Sequence, residues 1–307
     1  MHWAILTTFL FALSAVSGQR TAIRLGGLRG NFFRLLLATV ILDSFVLLTD
    51  RASLAWPTFG WFFVSGLVGF GVGDIGLFLA YERIGSRLAI LLNLCTAPLF
   101  ALAAEWLWLG NAPPPSHLGA VGAILFGVFL AVKPPKERIG RAPDLRGHFG
   151  FGIVWALVAG FGQGTGAVIT RKANEIERTL GLEINGVSEA AQRVLAGMLV
   201  AGIGLIIWEK LGASRLPAGL TGADRRLSTA GWLLMAALAG PVIGVSCFQQ
   251  ALASMSSGGL VLAIVAVTPI VLMPMAWMLE KDRPTPLAAA GALIAVTGVI
   301  LLNWLGA

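Results

Sequence analysis

Long apolar stretches alternate with short polar segments along the whole chain, and this pattern predicts its helices. A helix needs about 20 mostly apolar residues to cross a membrane. Ten runs meet that length approximately, at residues 2–19, 31–49, 58–81, 87–108, 115–133, 149–171, 188–208, 230–253, 258–279 and 285–304. Tryptophans such as Trp3, Trp61 and Trp208 lie near the ends of these runs, where interfacial aromatic residues are expected. The pattern therefore predicts an all-α polytopic membrane protein with ten transmembrane helices.

The two halves of the chain repeat one another. A shift of 171 residues places Gly69, Pro98 and Trp106 on Gly240, Pro269 and Trp277, among 15 identities between positions 60 and 130. Arg34 and Arg193 also occupy matching places near the start of the second and seventh runs. Each repeat thus holds five helices, and an odd number makes the repeats insert in opposite orientations. We predict two inverted five-helix repeats, at residues 1–133 and 149–307, joined by a basic linker at 134–148.

Composition and charge agree with a membrane protein. The chain is 57% hydrophobic and 12% charged, whereas soluble domains carry roughly 25% charged residues. The net charge of +7 does not indicate nucleic-acid binding, because the basic residues lie in short loops between apolar runs. Sixteen of them follow the odd-numbered runs and four follow the even-numbered runs. Positive loops stay in the cytoplasm, so this count predicts that both termini lie outside.

Three carboxylates inside the apolar runs are candidates for function, because ionisable groups are costly in a membrane. Asp74, near the middle of the third run, can carry a proton or pair with a cationic substrate. The alternative is a structural bond to a neighbouring helix or to Arg34. Asp43 and Glu105 are further proton-coupling candidates or, equally, partners of other helices. The 171-residue shift places Asp74 on Val245, so any proton coupling is expected in the first half.

Four uncharged polar side chains complete the predicted substrate site, which consists of Asp74, Asn93, Gln163, Gln249 and Gln250. Gln249 aligns with Phe78, one helical turn beyond Asp74, so Gln249 and Asp74 are expected to face a shared cavity. The alternative for these amides is hydrogen bonding between helices. Arg34 and Arg193 are either interfacial anchors or contacts for an anion or a carboxylate.

No pattern in the sequence indicates catalysis, so no catalytic residue, cofactor or metal is predicted. The three histidines are scattered over loops and termini, and no Ser/His/Asp or Cys/His set occurs. Cys95 and Cys247 lie in apolar runs and imply no disulfide framework. The glycine-rich stretch 160–166 lacks the ending of a phosphate-binding loop and favours close helix packing.

The sequence resembles the drug/metabolite transporter superfamily, specifically its EamA-type members. In the first half the resemblance is carried by Gly73, Asp74, Ala80, the stretch from Ile84 to Arg87, Pro98, and the stretch from Glu105 to Gly110. In the second half it is carried by the stretches from Gln163 to Lys172, from Arg193 to Gly197, and from Ala251 to Pro269. Asn111 and Asp282 stand where members often have Glu, and members are usually drawn with cytoplasmic termini.

The resemblance implies a gradient-driven carrier whose cavity is lined largely by helices 1, 3, 4, 6, 8 and 9. The leading hypothesis is a secondary transporter of the bacterial inner membrane that exports amino-acid-like metabolites, small organic solutes or cations. Its expected partners are the small-molecule substrate, the lipid bilayer and a coupled proton, with no nucleic acid. A nucleotide-sugar or phospho-metabolite carrier and a non-transporting membrane subunit are the alternatives. The sequence leaves open whether the protein is a monomer or a homodimer.

Overall fold

The computed structural model describes residues 1–55, 57–110, 115, 117–132, 145–182, 185–211, 223–254, 261, 264–281 and 283–305. Every regular element in these ranges is helical, which confirms the predicted all-α class. Asn111, Asp282 and residues 134–144 of the predicted linker lie outside the described ranges. The rest of that linker, residues 145–148, belongs to a helix.

The first half contains α1 (His2–Leu25), α2 (Gly27–Thr49), a 3₁₀ turn (Arg51–Ala55), α3 (Phe59–Gly66), a π-helical segment (Leu67–Gly73), α4 (Asp74–Leu109) and α5 (His117–Ala131). The second half contains α6 (Leu145–Leu180), α7 (Gly186–Lys210), α8 (Ala223–Ala237), a second π-helical segment (Leu238–Val242), α9 (Ile243–Ser254), α10 (Thr268–Glu280) and α11 (Pro286–Leu305). The predicted run 58–81 therefore corresponds to α3, the first π-helical segment and the beginning of α4.

A single glycine breaks α4 where the pattern predicts a loop between two helices. Gly85 has φ 78° and ψ 168°, outside the helical region, and the residues on both sides are helical. A positive φ strains any residue that carries a Cβ atom, which explains glycine at this position. Glycine therefore reduces the predicted loop to one residue.

Both halves widen into a π-helical turn at equivalent places. The segments begin at Leu67 and Leu238, which differ by the same 171 residues as the sequence repeat. Pro241 lies inside the second segment. Such wide turns often occur at functional sites, and here both segments border the cavity described below.

The apolar helices support a multi-pass membrane protein. Among the described residues, five stretches are long and apolar enough to cross a membrane: Gly27–Thr49, Phe59–Trp108, Phe149–Leu180, Gly186–Lys210 and Leu227–Ser254. The second of these contains the break at Gly85. His117–Ala131 and Pro286–Leu302 are shorter apolar helices.

The two halves pack against each other along most of their length. α1 lies against α8, α9 and α10, and α6 lies in the corresponding way against α3 and α4. α2 contacts α7, and α5 contacts the last helix, α11. Gly127 and Gly291 let α5 and α11 approach closely, since a Cβ atom at Gly291 would lie 2.6 Å from the carbonyl oxygen of Gly127. The first helix of each half, α1 or α6, thus packs on the third predicted run of the other half, which corresponds to α8 and α9 or to α3 and the start of α4. The centre of the molecule is therefore an interface between the two halves.

Candidate functional site

A cavity lies at the centre of this interface, with walls from both halves. It encloses about 640 Å³, a volume that includes the space at its mouth. Its apolar walls include Phe11, Phe70, Tyr81 and Phe248. Its polar lining is formed by Arg34, Asp74, Asn93, Gln163 and Arg193. A mostly apolar hollow with a few convergent polar groups is the usual form of a small-molecule site.

An ion pair between α2 and α4 forms one side of the cavity. Arg34 Nη2 donates to Asp74 Oδ2, and the two side chains are 6% and 15% exposed. The guanidinium carbon of Arg34 also lies 4.7 Å from the ring centre of Phe78. Two opposite charges removed from water compensate one another, whereas either alone would be strongly destabilising.

A hydrogen-bonded chain of three side chains forms the opposite side. Arg193 Nη1 on α7 donates to Gln249 Oε1 at 3.1 Å, and Gln249 Nε2 donates to Glu189 Oε2 at 2.6 Å. Arg193 also lies over Phe70, with its guanidinium carbon 5.4 Å from the ring centre. Arg193 lines the cavity, whereas Gln249 and Glu189 lie behind the wall and are almost fully buried.

The two arginines occupy equivalent positions in the two halves. A Cβ atom at Gly240 would lie 3.1 Å from Arg34 Nη1, and a Cβ atom at Gly69 would lie 3.3 Å from Arg193 Nη2. Gly69 and Gly240 are matched by the 171-residue shift. Each arginine therefore packs against the corresponding glycine of the opposite half. The scaffold is repeated, but Arg34 has a carboxylate as partner and Arg193 an amide.

Three of the predicted substrate residues meet in the cavity. Asp74, Asn93 and Gln163 all line it, from α4 and α6. Asn93 is 6% exposed, and its Oδ1 has no hydrogen-bond partner among the described residues. Gln249 reaches the site only through Arg193, because its own side chain is 0% exposed.

The remaining predicted residues lie elsewhere. Gln250 borders a separate apolar hollow between α2, α7 and α9, and its Oε1 accepts a bond from the Gly186 amide at 3.5 Å. Asp43 is partly buried on α2 and does not line the central cavity. Glu105 pairs with the exposed Arg171 at 2.5 Å, near the ends of α4 and α6.

The sequence allows two roles for Arg34 and Arg193, and their burial with polar partners excludes that of an interfacial anchor. Two further buried residues, Glu189 and Glu177, are not predicted from the sequence. Glu189 lies one helical turn before Arg193, a spacing that would have suggested a shared helix face. Glu177 lies beyond the predicted run 149–171 and was missed because α6 continues to Leu180.

Several hydrogen bonds connect different helices at the arginine-rich end of the bundle, the end that carries Arg24, Arg29, Arg83 and Lys281. Ser86, next to the break at Gly85, donates from its hydroxyl to Glu280 at the end of α10. The Gly27 amide donates to Glu82 Oε1 at 2.5 Å, and Arg24 Nη1 donates to Ser228 Oγ at 2.9 Å.

Away from this end, a second hollow of about 440 Å³ shares Leu94, Gln163 and Phe248 with the cavity. It continues along α4 and α6 to Ala101 and Ala167.

Comparison with known proteins agrees with this architecture. A search of curated proteins finds no match. A protein known from its crystal structure aligns over 99% of this chain and 95% of its own, with a TM-score of 0.60 and 17% identity, and so shares the fold. The family model described as "EamA-like transporter family" matches residues 1–133 and again residues 150–304, which is a two-repeat architecture. The protein is therefore a membrane transporter by family, and the chain belongs to the EamA-like transporter family.

Proposed function

We propose that the protein is a secondary active transporter of small polar solutes, working by alternating access. The observation that carries this proposal is the central cavity, which is built from both halves and lined by Arg34, Asp74 and Arg193. Secondary transporters bind their substrates at the interface between such repeats. The proposal includes ten membrane crossings in two inverted repeats and a location in the bacterial inner membrane.

The cavity lining supports a solute that carries both charges, as an amino acid does. Asp74 is a partner for an amino group, and Arg193, whose Nη1 atom donates to the uncharged amide of Gln249, is a partner for a carboxylate. Asn93 and Gln163 can hydrogen-bond neutral parts of the solute. We propose Asp74, Asn93 and Gln163 as substrate contacts, with Arg34 and Arg193 as additions to the predicted set.

The contacts at the arginine-rich end of the bundle support a state that is closed at that end. Ser86–Glu280 and Gly27–Glu82 join separate elements there. We propose that these contacts break in a second state while the opposite end closes, so that the cavity faces each side in turn. Export as the direction of transport rests on the family resemblance alone.

The proposal is tested in two steps: a binding screen that identifies a solute, and a transport assay with that solute. Purified protein is heated with a panel of amino acids, amines and small organic acids, and the solute that raises the melting temperature is then loaded into proteoliposomes. We expect saturable exchange that is lost in Gln163→Ala and Asp74→Asn and retained in Glu209→Gln, which changes an exposed ion pair with Arg29. A chain that binds and moves none of these compounds would contradict the proposed class of solute.

A phosphorylated solute is the second candidate, and the two cavity arginines favour it. Arg34 and Arg193 both line the cavity, and arginine suits phosphate because it donates two parallel bonds. Against this, Arg34 is already paired with Asp74. Adding sugar phosphates and nucleotide sugars to the panel separates the two candidates, since only one class should raise the melting temperature.

Proton coupling through Asp74 stays a prediction. The ion pair with Arg34 determines how unfavourable protonation of Asp74 would be. Protonating Asp74 would leave the Arg34 guanidinium buried without an ionised partner, which is strongly unfavourable. Proton transfer at Asp74 therefore requires that a solute take over Arg34 at the same moment. Uptake driven by a pH gradient in Asp74→Asn that equals wild type would exclude Asp74 from the coupling.

A further inference from the structure

Two glutamates, one on α6 and one on α7, lie buried near the cavity wall. Glu177 on α6 and Glu189 on α7 are 1% and 2% exposed. Glu177 lies in the last turn of α6 and Glu189 in the first turn of α7. Among the described residues neither forms an ion pair. Burying a carboxylate is costly unless its charge is compensated or a proton neutralises it.

Each glutamate has one bonded and one unbonded carboxyl oxygen. Glu189 Oε2 accepts from Gln249 Nε2 at 2.6 Å, and Glu177 Oε1 accepts from Thr58 Oγ1 at 2.8 Å. Glu189 Oε1 and Glu177 Oε2 are buried and have no partner among the described residues. An ionised carboxylate with an unsatisfied buried oxygen is unfavourable, whereas a bound proton neutralises it.

Two features of the surroundings act on the protonation of Glu189 in opposite directions. Glu177 lies close enough for its carboxylate to repel that of Glu189, so ionising both is less favourable than ionising one. In the opposite sense, Glu189 stands in the first turn of α7, where the helix dipole favours a negative charge. A site that must bind and release protons needs such a balance.

Gln249 connects this pair of carboxyl groups to the cavity. Its amide accepts from Arg193 on one side and donates to Glu189 on the other. Because the amide is fully buried, it cannot exchange either bond for water. A change of charge at Glu189 therefore changes how well the positive charge of Arg193, which lines the cavity, is compensated.

We propose that Glu177 and Glu189 form a proton-binding site that is coupled to the solute cavity through Gln249 and Arg193. This inference rests on the proposed transport function. Charged groups that face the pair from the packed elements are Arg178 on α6, Arg193 on α7, Asp74 on α4 acting through Arg193, and Asp50, which accepts from Ser188.

The proposal has a definite electrostatic consequence. A proton on the pair removes negative charge near Arg193, so the cavity becomes more positive. A cationic solute then binds less tightly and an anionic group more tightly. Protons and a cationic solute would thus compete and exchange across the membrane, while Asp74 stays ionised with Arg34.

Infrared difference spectroscopy tests the site with protons alone. The purified full-length protein is titrated with pH, and the carbonyl band of protonated carboxylic acids is followed. We expect wild type to show a titrating band that Glu189→Gln and Glu177→Gln each alter and the double variant loses. Glutamine keeps the shape of glutamate and its bond to Gln249, and either single variant suffices if the other fails to fold. Gln249→Met should shift the midpoint of the titration.

The controls decide where the proton binds. Glu209→Gln changes the exposed pair with Arg29 and should leave the band unchanged. Retention of the whole band in the double variant, or its loss in Asp74→Asn, would overturn the proposal. A midpoint that moves when choline chloride is replaced by sodium chloride would overturn it as well, since the pair would then be a sodium site.

Failure of this proposal is distinguishable from failure of the proposed function. The titration needs no solute, so the band would still depend on Glu177 and Glu189 in a protein that transports none of the panel. Conversely, a solute exchanged by proteoliposomes of the double variant with an undiminished response to a pH gradient would keep the transporter and exclude this proton site.

Discussion

At the scale of single residues, the site is defined by how each buried charge is compensated. Arg34 has Asp74 as an ionised hydrogen-bond partner, while Arg193 is hydrogen-bonded to the amide of Gln249, which in turn donates to Glu189. The two arginines are equivalent in the repeat, so the difference comes from Asp74 and Gln249, which have no counterparts in the other half. Residue identity therefore breaks the symmetry that the fold creates.

The ion pair of Arg34 and Asp74 leads to a stability prediction. Asp74→Asn should destabilise the protein by about 3–5 kcal/mol, because it leaves Arg34 buried without an ionised partner. The double variant Arg34→Met with Asp74→Asn should regain much of this loss. Unfolding in detergent micelles measures both.

The matched control for that prediction is an exposed pair. Glu209→Gln removes a partner of Arg29, where the two side chains are 22% and 45% exposed, and it should change stability by about 0–1 kcal/mol. Equal losses in Asp74→Asn and Glu209→Gln would mean that burial of Arg34 does not decide its energetics.

At the scale of elements, glycines determine how closely the helices meet behind the cavity. Gly66, the last residue of α3, packs on the backbone of Arg193, and an added Cβ atom would lie 2.6 Å from the Arg193 Cα and would overlap its carbonyl oxygen. The position of Arg193 in the cavity wall thus depends on a missing side chain on another helix. Backbone cannot move aside as a flexible side chain can.

Gly66→Ala and Gly60→Ala form a matched pair on α3. Gly66→Ala should lower stability by about 1–3 kcal/mol because it overpacks the contact with α7. Gly60→Ala should be neutral or slightly stabilising, since no atom lies within 4 Å of a Cβ atom there and alanine favours helix. Melting temperatures of the purified variants measure the difference, and a harmless Gly66→Ala would show that α3 and α7 do not pack so closely.

At the scale of the whole molecule, the loop charges predict the orientation in the membrane. Lys281 follows α10 at the arginine-rich end, and Thr179 lies near the end of α6 at the opposite end, and both are exposed. Since basic loops stay in the cytoplasm, a thiol at Lys281 should face inward and a thiol at Thr179 outward.

Cysteine labelling tests this orientation. In a background without Cys95 and Cys247, Lys281→Cys should react with a membrane-impermeant reagent only in inverted vesicles. Thr179→Cys should react in intact spheroplasts. The reverse pattern would contradict the charge count and give the cytoplasmic termini usually drawn for this family.

The sequence by itself determined the class and the repeat of this protein, because apolar length and a 171-residue self-similarity are local and periodic signals. It also predicted Asp74, Asn93 and Gln163 as substrate contacts, since polar residues in apolar runs are functional candidates, and all three line the cavity. It was less informative near the ends of the runs. Glu177 lies beyond the predicted run 149–171 because α6 continues to Leu180. Gln250, predicted as a substrate contact, borders a separate apolar hollow.

Only the tertiary structure decided which buried groups act together. The partners Arg34 and Asp74 are 40 positions apart on α2 and α4, and Glu189 and Gln249 are 60 positions apart on α7 and α9, so each pair meets only when the helices of its half pack. Helix periodicity predicts which face a residue occupies, but not which helix that face meets or at what height. Whether a buried charge is paired, shared or left to bind a proton is therefore a property of the packed molecule, since compensation of charge depends on distances between helices.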